Sequence, residues 1–432
     1  VSKNLLKALP ELIQAGIITN EKASEIQHYF QQRSGKSQNR LVIVFGILGS
    51  ILVGLGIILI IAHNWDELSK STKTSFAFLP LVVGQLISAF VILRQRESVA
   101  WREGASVFLY FAVGASISLV SQIYNIPGNL SSFLLTWMVL CLPLVYLMKS
   151  SITAMLVIIG ITYFACETSY WSGDSKTSYE YWLVLAATLP HYYLLFKKNP
   201  NSNFFILLNW LVPLSVIICL GTLADHEEEL MFISYFSLFG LFYIIGNSRA
   251  FSNKLVRNNS YLVLGSVGTI VMLLMLSFDW FWNDLLETEF TLATSIEFYI
   301  AIIVSLSAGA ILTWRIAKSS WQSTHLMEYI FLLFIIIFII GLSNNITPII
   351  LINLLLLILG LLTIKKGADH DHLGILNYGL TVITALVICR FFDTDISFVV
   401  RGLLFVIVGA GFFAANYWMI KKRKAHETHM FT

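Results

Sequence analysis

Fourteen apolar runs of membrane-crossing length divide this chain, and the charge of the segments between them alternates from one end to the other. A hydrocarbon layer about 30 Å thick is crossed by roughly 20 helical residues. The spacing predicts spans over 41–62, 75–93, 103–122, 131–148, 151–167, 180–196, 203–223, 230–246, 260–279, 296–314, 327–343, 347–364, 372–389 and 398–420. With 57% hydrophobic and only 12% charged residues, 432 residues cannot clothe a surface that faces water. Lipid is the expected solvent and the bilayer the expected partner.

The loops set the expected orientation. One set of alternate segments, with both ends of the chain, holds 23 of the 28 lysines and arginines. It includes Arg94, Arg96, Arg102, Lys149, Lys197, Lys198, Arg257, Arg315, Lys318, Lys365, Lys366 and the run Lys421 to Lys424. Basic residues stay on the cytoplasmic side during insertion, so both termini are expected inside. The fold class that follows is all-α: a polytopic integral membrane bundle of about 14 transmembrane helices, N-in and C-in. Most tryptophans, Trp282 among them, fall near predicted span ends, where an indole buries its ring and keeps its N–H wet. Trp137 and Trp210 lie deeper and are expected to pack between helices.

Three segments are expected. Residues 1–40 read as a cytoplasmic helical headpiece and linker, 41–420 as the transmembrane bundle, and 421–432 as a basic cytoplasmic tail. In the headpiece, Leu5, Leu6, Leu9, Leu12 and Ile13 form one helical stripe, Gly16 suits the position just past a helix end, and Thr19 can cap a second helix. A hairpin this small buries little surface alone, which points to docking on a cytoplasmic partner, a second copy or the bundle itself. Residues 1–40 are polar and no small-residue cleavage site follows the first apolar run, so no removable signal peptide is expected. Valine at position 1 reads as a GTG start codon, which points to a bacterial gene.

Chemistry is sparse. No phosphate-binding loop, nucleophile elbow, zincin helix or dinucleotide fingerprint occurs in a suitable context. Cys141, Cys166, Cys219 and Cys389 lie far apart and read as free thiols. No catalytic residue, metal or cofactor is assigned, and no nucleic acid is expected as a partner. Acidic and basic residues avoid the middles of spans; Glu103, Glu297, Glu328, Arg390 and Arg401 all lie near ends, which argues against a proton-coupled antiporter or primary pump.

Mid-span polarity is left to amides, among them Gln85, Asn209 and Asn353, which serve either as interhelical glue or as the lining of a polar cavity. At the outer mouths two segments gather polar groups: His63, Asn64, Trp65 and Asp66 after the first span, and Gln122, Tyr124 and Asn125 after the third. His63 with Asp66 and Glu67 has the chemistry to hold a metal or shuttle protons at the outer surface, while Asp66 can equally start a short interfacial helix that Trp65 anchors. Gln122 to Asn125, uncharged and followed by a Pro-Gly turn, suits hydrogen bonding to a polar ligand or a re-entrant turn, or else a capped helix end.

Gly16-Ile17-Ile18-Thr19, the glycine-rich first span, Ala62-His63-Asn64-Trp65, Ser121-Gln122-Ile123-Tyr124-Asn125 and Trp137 before Pro143 occur in that order. In this the chain resembles the predicted bacterial membrane proteins grouped as domain of unknown function 2157, most closely over residues 1–150. The resemblance implies a bacterial cytoplasmic (inner) membrane location and marks the Asn-Trp-Asp and Gln-x-Tyr segments as family features. It brings no established activity. His63 stands where that pattern suggests a smaller residue, which takes weight from any role specific to imidazole.

The functional expectation is a transporter-like or flippase-like protein for a polar or lipid-linked compound. Its rivals are a membrane-embedded transferase with a site on the outer face and a membrane scaffold or sensor that signals through the headpiece.

Overall fold

The computed structural model describes residues 9–27, 65–171, 177–248, 251, 255–288, 290, 295–318 and 325–392, with isolated positions between 397 and 413. Among them no strand occurs. The first predicted span lies outside the described residues and the last one largely so. The chain divides into two compact units, residues 1–78 and 79–432.

In the first unit, helical segments 9–14 and 20–27 flank a turn at Gly16. Gly16 has φ +70, the left-handed conformation that glycine adopts without a Cβ penalty. Its N–H donates to Ile13 and that of Ile17 to Leu12, which closes the carbonyl end of the first segment. The carbonyl of Thr19 accepts from Ala23 and opens the second segment. The unit continues with a single 3-10 turn, Trp65–Glu67, and the start of helix α1 (Lys70–Arg94).

Among the described residues the second unit continues α1 and adds twelve assigned helices. These are α2 (Val99–Tyr124), α3 (Leu130–Leu147), α4 (Ser151–Ser169), α5 (Tyr179–Lys198), α6 (Asn203–Leu220), α7 (Glu228–Gly246), α8 (Ser260–Met275), α9 (Trp280–Glu287), α10 (Ile296–Lys318), α11 (Ile330–Gly341), α12 (Ile346–Asp369) and α13 (Leu373–Phe391). Short polar residues begin many of them: the side chains of Asn129, Ser150, Ser202 and Asn259 each accept a first-turn backbone N–H.

Among the described residues nine helices are long and apolar enough to cross a bilayer, and ten if α8 and α9 form one bent span. Helix α5 is more polar, with Glu180, His191, Lys197 and Lys198, and α11 has only 12 residues. Large apolar side chains point outward over much of the surface, such as Leu183, Leu306 and Leu361. A water-soluble chain rarely exposes so much apolar surface, whereas lipid favours it. This is a membrane protein with several apolar helices.

Among the described residues the two larger of four apolar clusters hold most of the second unit. One joins α3, α4, α5 and α6 through Met138, Val157, Ile161, Tyr181 and Leu208. The other joins α7 to α13 around Trp282, Phe331, Phe334 and Leu356, with Phe236 stacked on Phe334 at 3.9 Å. Trp137 packs against Gly114 and donates its indole N–H to the Tyr110 carbonyl at 2.8 Å. Trp282 departs from its expected wet position: it is fully buried, and its N–H donates to the Leu276 carbonyl at 2.8 Å. Glycines let some helices approach closely. A Cβ on Gly265 of α8 would stand 2.5 Å from the Tyr243 nitrogen, and one on Gly379 of α13 would stand 2.7 Å from that of Ile364.

Candidate functional site

His63 and Asn64 lie outside the described residues, as does the side chain of Asp66. Trp65 opens the 3-10 turn, with the Lys73 ammonium 5.7 Å from its ring centroid. Gln122, Tyr124 and Asn125 form the end of α2. Asn125 adopts a left-handed φ of 51, its N–H donates to the Gln122 carbonyl, and the Ile126 N–H donates to Ser121 at 2.9 Å. The side chains of Gln122 and Tyr124 are exposed. Asn129 then caps α3 by accepting from Ser132 at 2.8 Å, so this stretch is a compact helix-to-helix turn with two polar side chains on its outside.

The three mid-span amides sit in different settings. Gln85 is exposed on α1. Asn209 is buried and saturated: it accepts the Tyr192 hydroxyl at 2.8 Å and donates to the Asn258 carbonyl at 3.1 Å and to Ser260 Oγ at 3.0 Å. It joins α5, α6 and α8 as glue. Asn353 donates to the carbonyls of Ser277 and, on its own helix, Ile349, while its Oδ1 is buried with no partner among the described residues. Among the described residues no hydrogen bond joins any two of the three.

The setting of Asn353 was not visible in the sequence. The predicted span 260–279 is not one helix; α8 stops at Met275 and α9 leaves at 75° to it. Every carbonyl freed at such a break needs a donor if it lies within hydrocarbon. Trp282 supplies one to Leu276, and Asn353 supplies one to Ser277 at 3.2 Å. Arg390 of α13 donates to Ser277 Oγ at 3.1 Å, and its guanidinium carbon stands 4.5 Å from the Phe278 ring centroid. Asn345 donates to Asn283 at 2.7 Å and ties the start of α12 to α9. A hydroxyl, a guanidinium and an unpartnered amide oxygen thus meet at a helix break. Together they offer donors and an acceptor to a polar or anionic group, but no nucleophile paired with a base. Ser277 sits in an unbroken apolar run, so hydropathy gives no sign of the bend.

Three glutamates that the sequence places merely near span ends are buried in polar networks. Glu103 accepts from Ser150 Oγ and from the N–H groups of Ser151 and Ile152, and Ser151 Oγ lies 3.2 Å from His191 Nε2. Glu297 accepts the N–H groups of Asp225, His226 and Glu227. Glu328 pairs with Arg315 at 2.6 Å. His372 accepts the Ile375 N–H and caps α13.

Residues 10–154 match the model of a family described as predicted membrane protein (DUF2157). No curated protein and no solved structure matches the chain. The matched stretch includes Trp65 and the Gln122–Asn125 turn and leaves the break at Ser277 outside it.

Proposed function

We propose that this chain is a transporter-like or flippase-like protein of the bacterial cytoplasmic membrane that moves a polar or lipid-linked compound past the helix break at Ser277. One observation carries the reading: an apolar span interrupted beside Asn353, Arg390 and Ser277. Irregular backbone at membrane depth persists where protein buries it or where it lines a polar path, and broken helices are where secondary transporters bind their substrates. The proposal includes fourteen crossings, with both termini and the headpiece in the cytosol, which puts the break on the outer side. Contacts at the helix ends support this order: Arg315, Glu328, His325 and Lys366, all placed on one side by the charge pattern, are joined at one end of their helices.

The test is complementation in a deletion strain, with lipid-linked and glycan intermediates measured on each side of the membrane. Wild-type protein is expected to restore the normal distribution. Asn353→Leu and Arg390→Gln, inserted to the same level, are expected to leave the intermediates on the inner side. Full restoration by both variants would reject the path. Loss with His63→Ala alone would favour the outer-face transferase.

A further inference from the structure

A separate cluster lies where α10 ends and α12 nears its end. The Arg315 guanidinium donates to Glu328 Oε1 at 2.6 Å, and their side chains are 15% and 0% exposed. Asn247, from the end of α7, reaches the same oxygen at 3.5 Å. Beside this pair the Lys366 ammonium donates to His325 Nε2 at 2.9 Å, a bond that requires neutral imidazole there. Two cations therefore face one carboxylate, which leaves a positive charge without a counterion among these groups. The imidazole responds to that excess: burial and then the charges of Lys366, Arg315 and His370 hold it below its ordinary value. Asp369 and Asp371 are exposed in the loop beyond.

The surroundings say what kind of anion fits. Ile358, Leu362 and Lys366 fall at i, i+4 and i+8 on one face of α12, and the two apolar members are exposed. On α10, Trp314 is 58% exposed, and Lys318 lies 4.2 Å over its ring. An apolar stripe that ends in a buried-edge cation, on a protein that also turns an indole outward from α10, matches the cross-section of a bilayer leaflet: chains below, headgroup above. Free phosphate would use the cations and ignore the stripe.

We infer that Lys366, His325 and Arg315 form a binding site for the phosphodiester of an anionic phospholipid, whose acyl chain lies along Ile358 and Leu362. The site does not depend on the transport reading. Lys366 supplies a positive charge beside His325, Arg315 is steadied by Glu328, and His325 gains charge when protonated at lower pH.

The test uses the purified full chain and counts bound lipid by native mass spectrometry in mixed micelles. Phosphatidylglycerol is expected to be retained over phosphatidylcholine. Lys366→Gln is expected to weaken it about fivefold, the effect of one basic residue near an anionic surface. Lys198→Gln, an exposed lysine on α5, is expected to change little. Equal retention of the two lipids, equal loss in both variants, or displacement of the lipid by millimolar inorganic phosphate would overturn the site. Should Lys366→Gln not fold, wild-type protein decides: its melting temperature is expected to rise with phosphatidylglycerol vesicles and not with phosphatidylcholine vesicles, and equal shifts would reject the inference.

Discussion

The carboxylate of Glu103 accepts the hydroxyl of Ser150 at 2.5 Å across 47 residues of sequence. The same carboxylate accepts the N–H groups of Ser151 at 2.9 Å and Ile152 at 3.0 Å, so a side chain of α2 closes the amino end of α4. Helix amino ends carry unsatisfied N–H groups and partial positive charge, and a buried carboxylate answers both. Glu297, in the first turn of α10, likewise accepts the N–H groups of the segment that leads into α7. Each bond fixes two helices against each other at an end, where the apolar core gives little registration.

Removing that carboxylate should loosen α2 from α4. Glu103→Ala is expected to cost about 1–3 kcal/mol, since the N–H groups it served stay buried and unpaired. Glu103→Gln should cost less, because its amide oxygen still accepts. Thermal unfolding in detergent checks the order; equal melting of the two variants would contradict it.

The close helix pair α12–α13 makes a second prediction. A Cβ at Gly379 would lie 2.7 Å from the Ile364 nitrogen and 2.9 Å from the Gly360 carbonyl oxygen, so backbone rather than side chain must yield. Gly379→Ala is expected to destabilise by about 1–3 kcal/mol. Gly309→Ala, where a Cβ meets open space, should be neutral in the same melting assay.

His325 makes stability depend on pH. Burial and the charges of Lys366, Arg315 and His370 hold its folded value below the ordinary 6.5, while Glu328 is the acid of the same cluster. As pH falls through about 6.5, the unfolded chain takes the proton first, so the stability present at higher pH declines until the folded value is reached. The melting temperature of the wild type should fall more steeply between pH 8 and 5 than that of His325→Gln. Parallel curves would contradict the assignment.

Much of the fold was legible because lipid imposes a simple rule: a buried span satisfies its backbone within itself and shows apolar side chains outward. The predicted span 131–148 is the helix Leu130–Leu147, and 203–223 is α6 with the 3-10 turn that ends at Leu223. What hydropathy cannot report is direction. Leu276, Ser277 and Phe278 keep the run apolar through a 75° bend, and the eight residues of α9 turn inward, with Trp282 in the core. Partnership is equally silent. Glu297 looks like an acid merely near a span end, yet its partners lie some 70 residues away. Gly16 and Gln122–Asn125 were easier, because helix ends write their capping chemistry locally.

The order of the helix ends across the membrane is decided most directly by cysteine labelling of intact cells in a background free of Cys141, Cys166, Cys219 and Cys389. Single cysteines at Lys198 and Lys366 should react only after the inner membrane is opened, and cysteines at Asp225 and Asp279 should react from outside. Labelling of Lys198→Cys or Lys366→Cys in sealed cells would contradict the account.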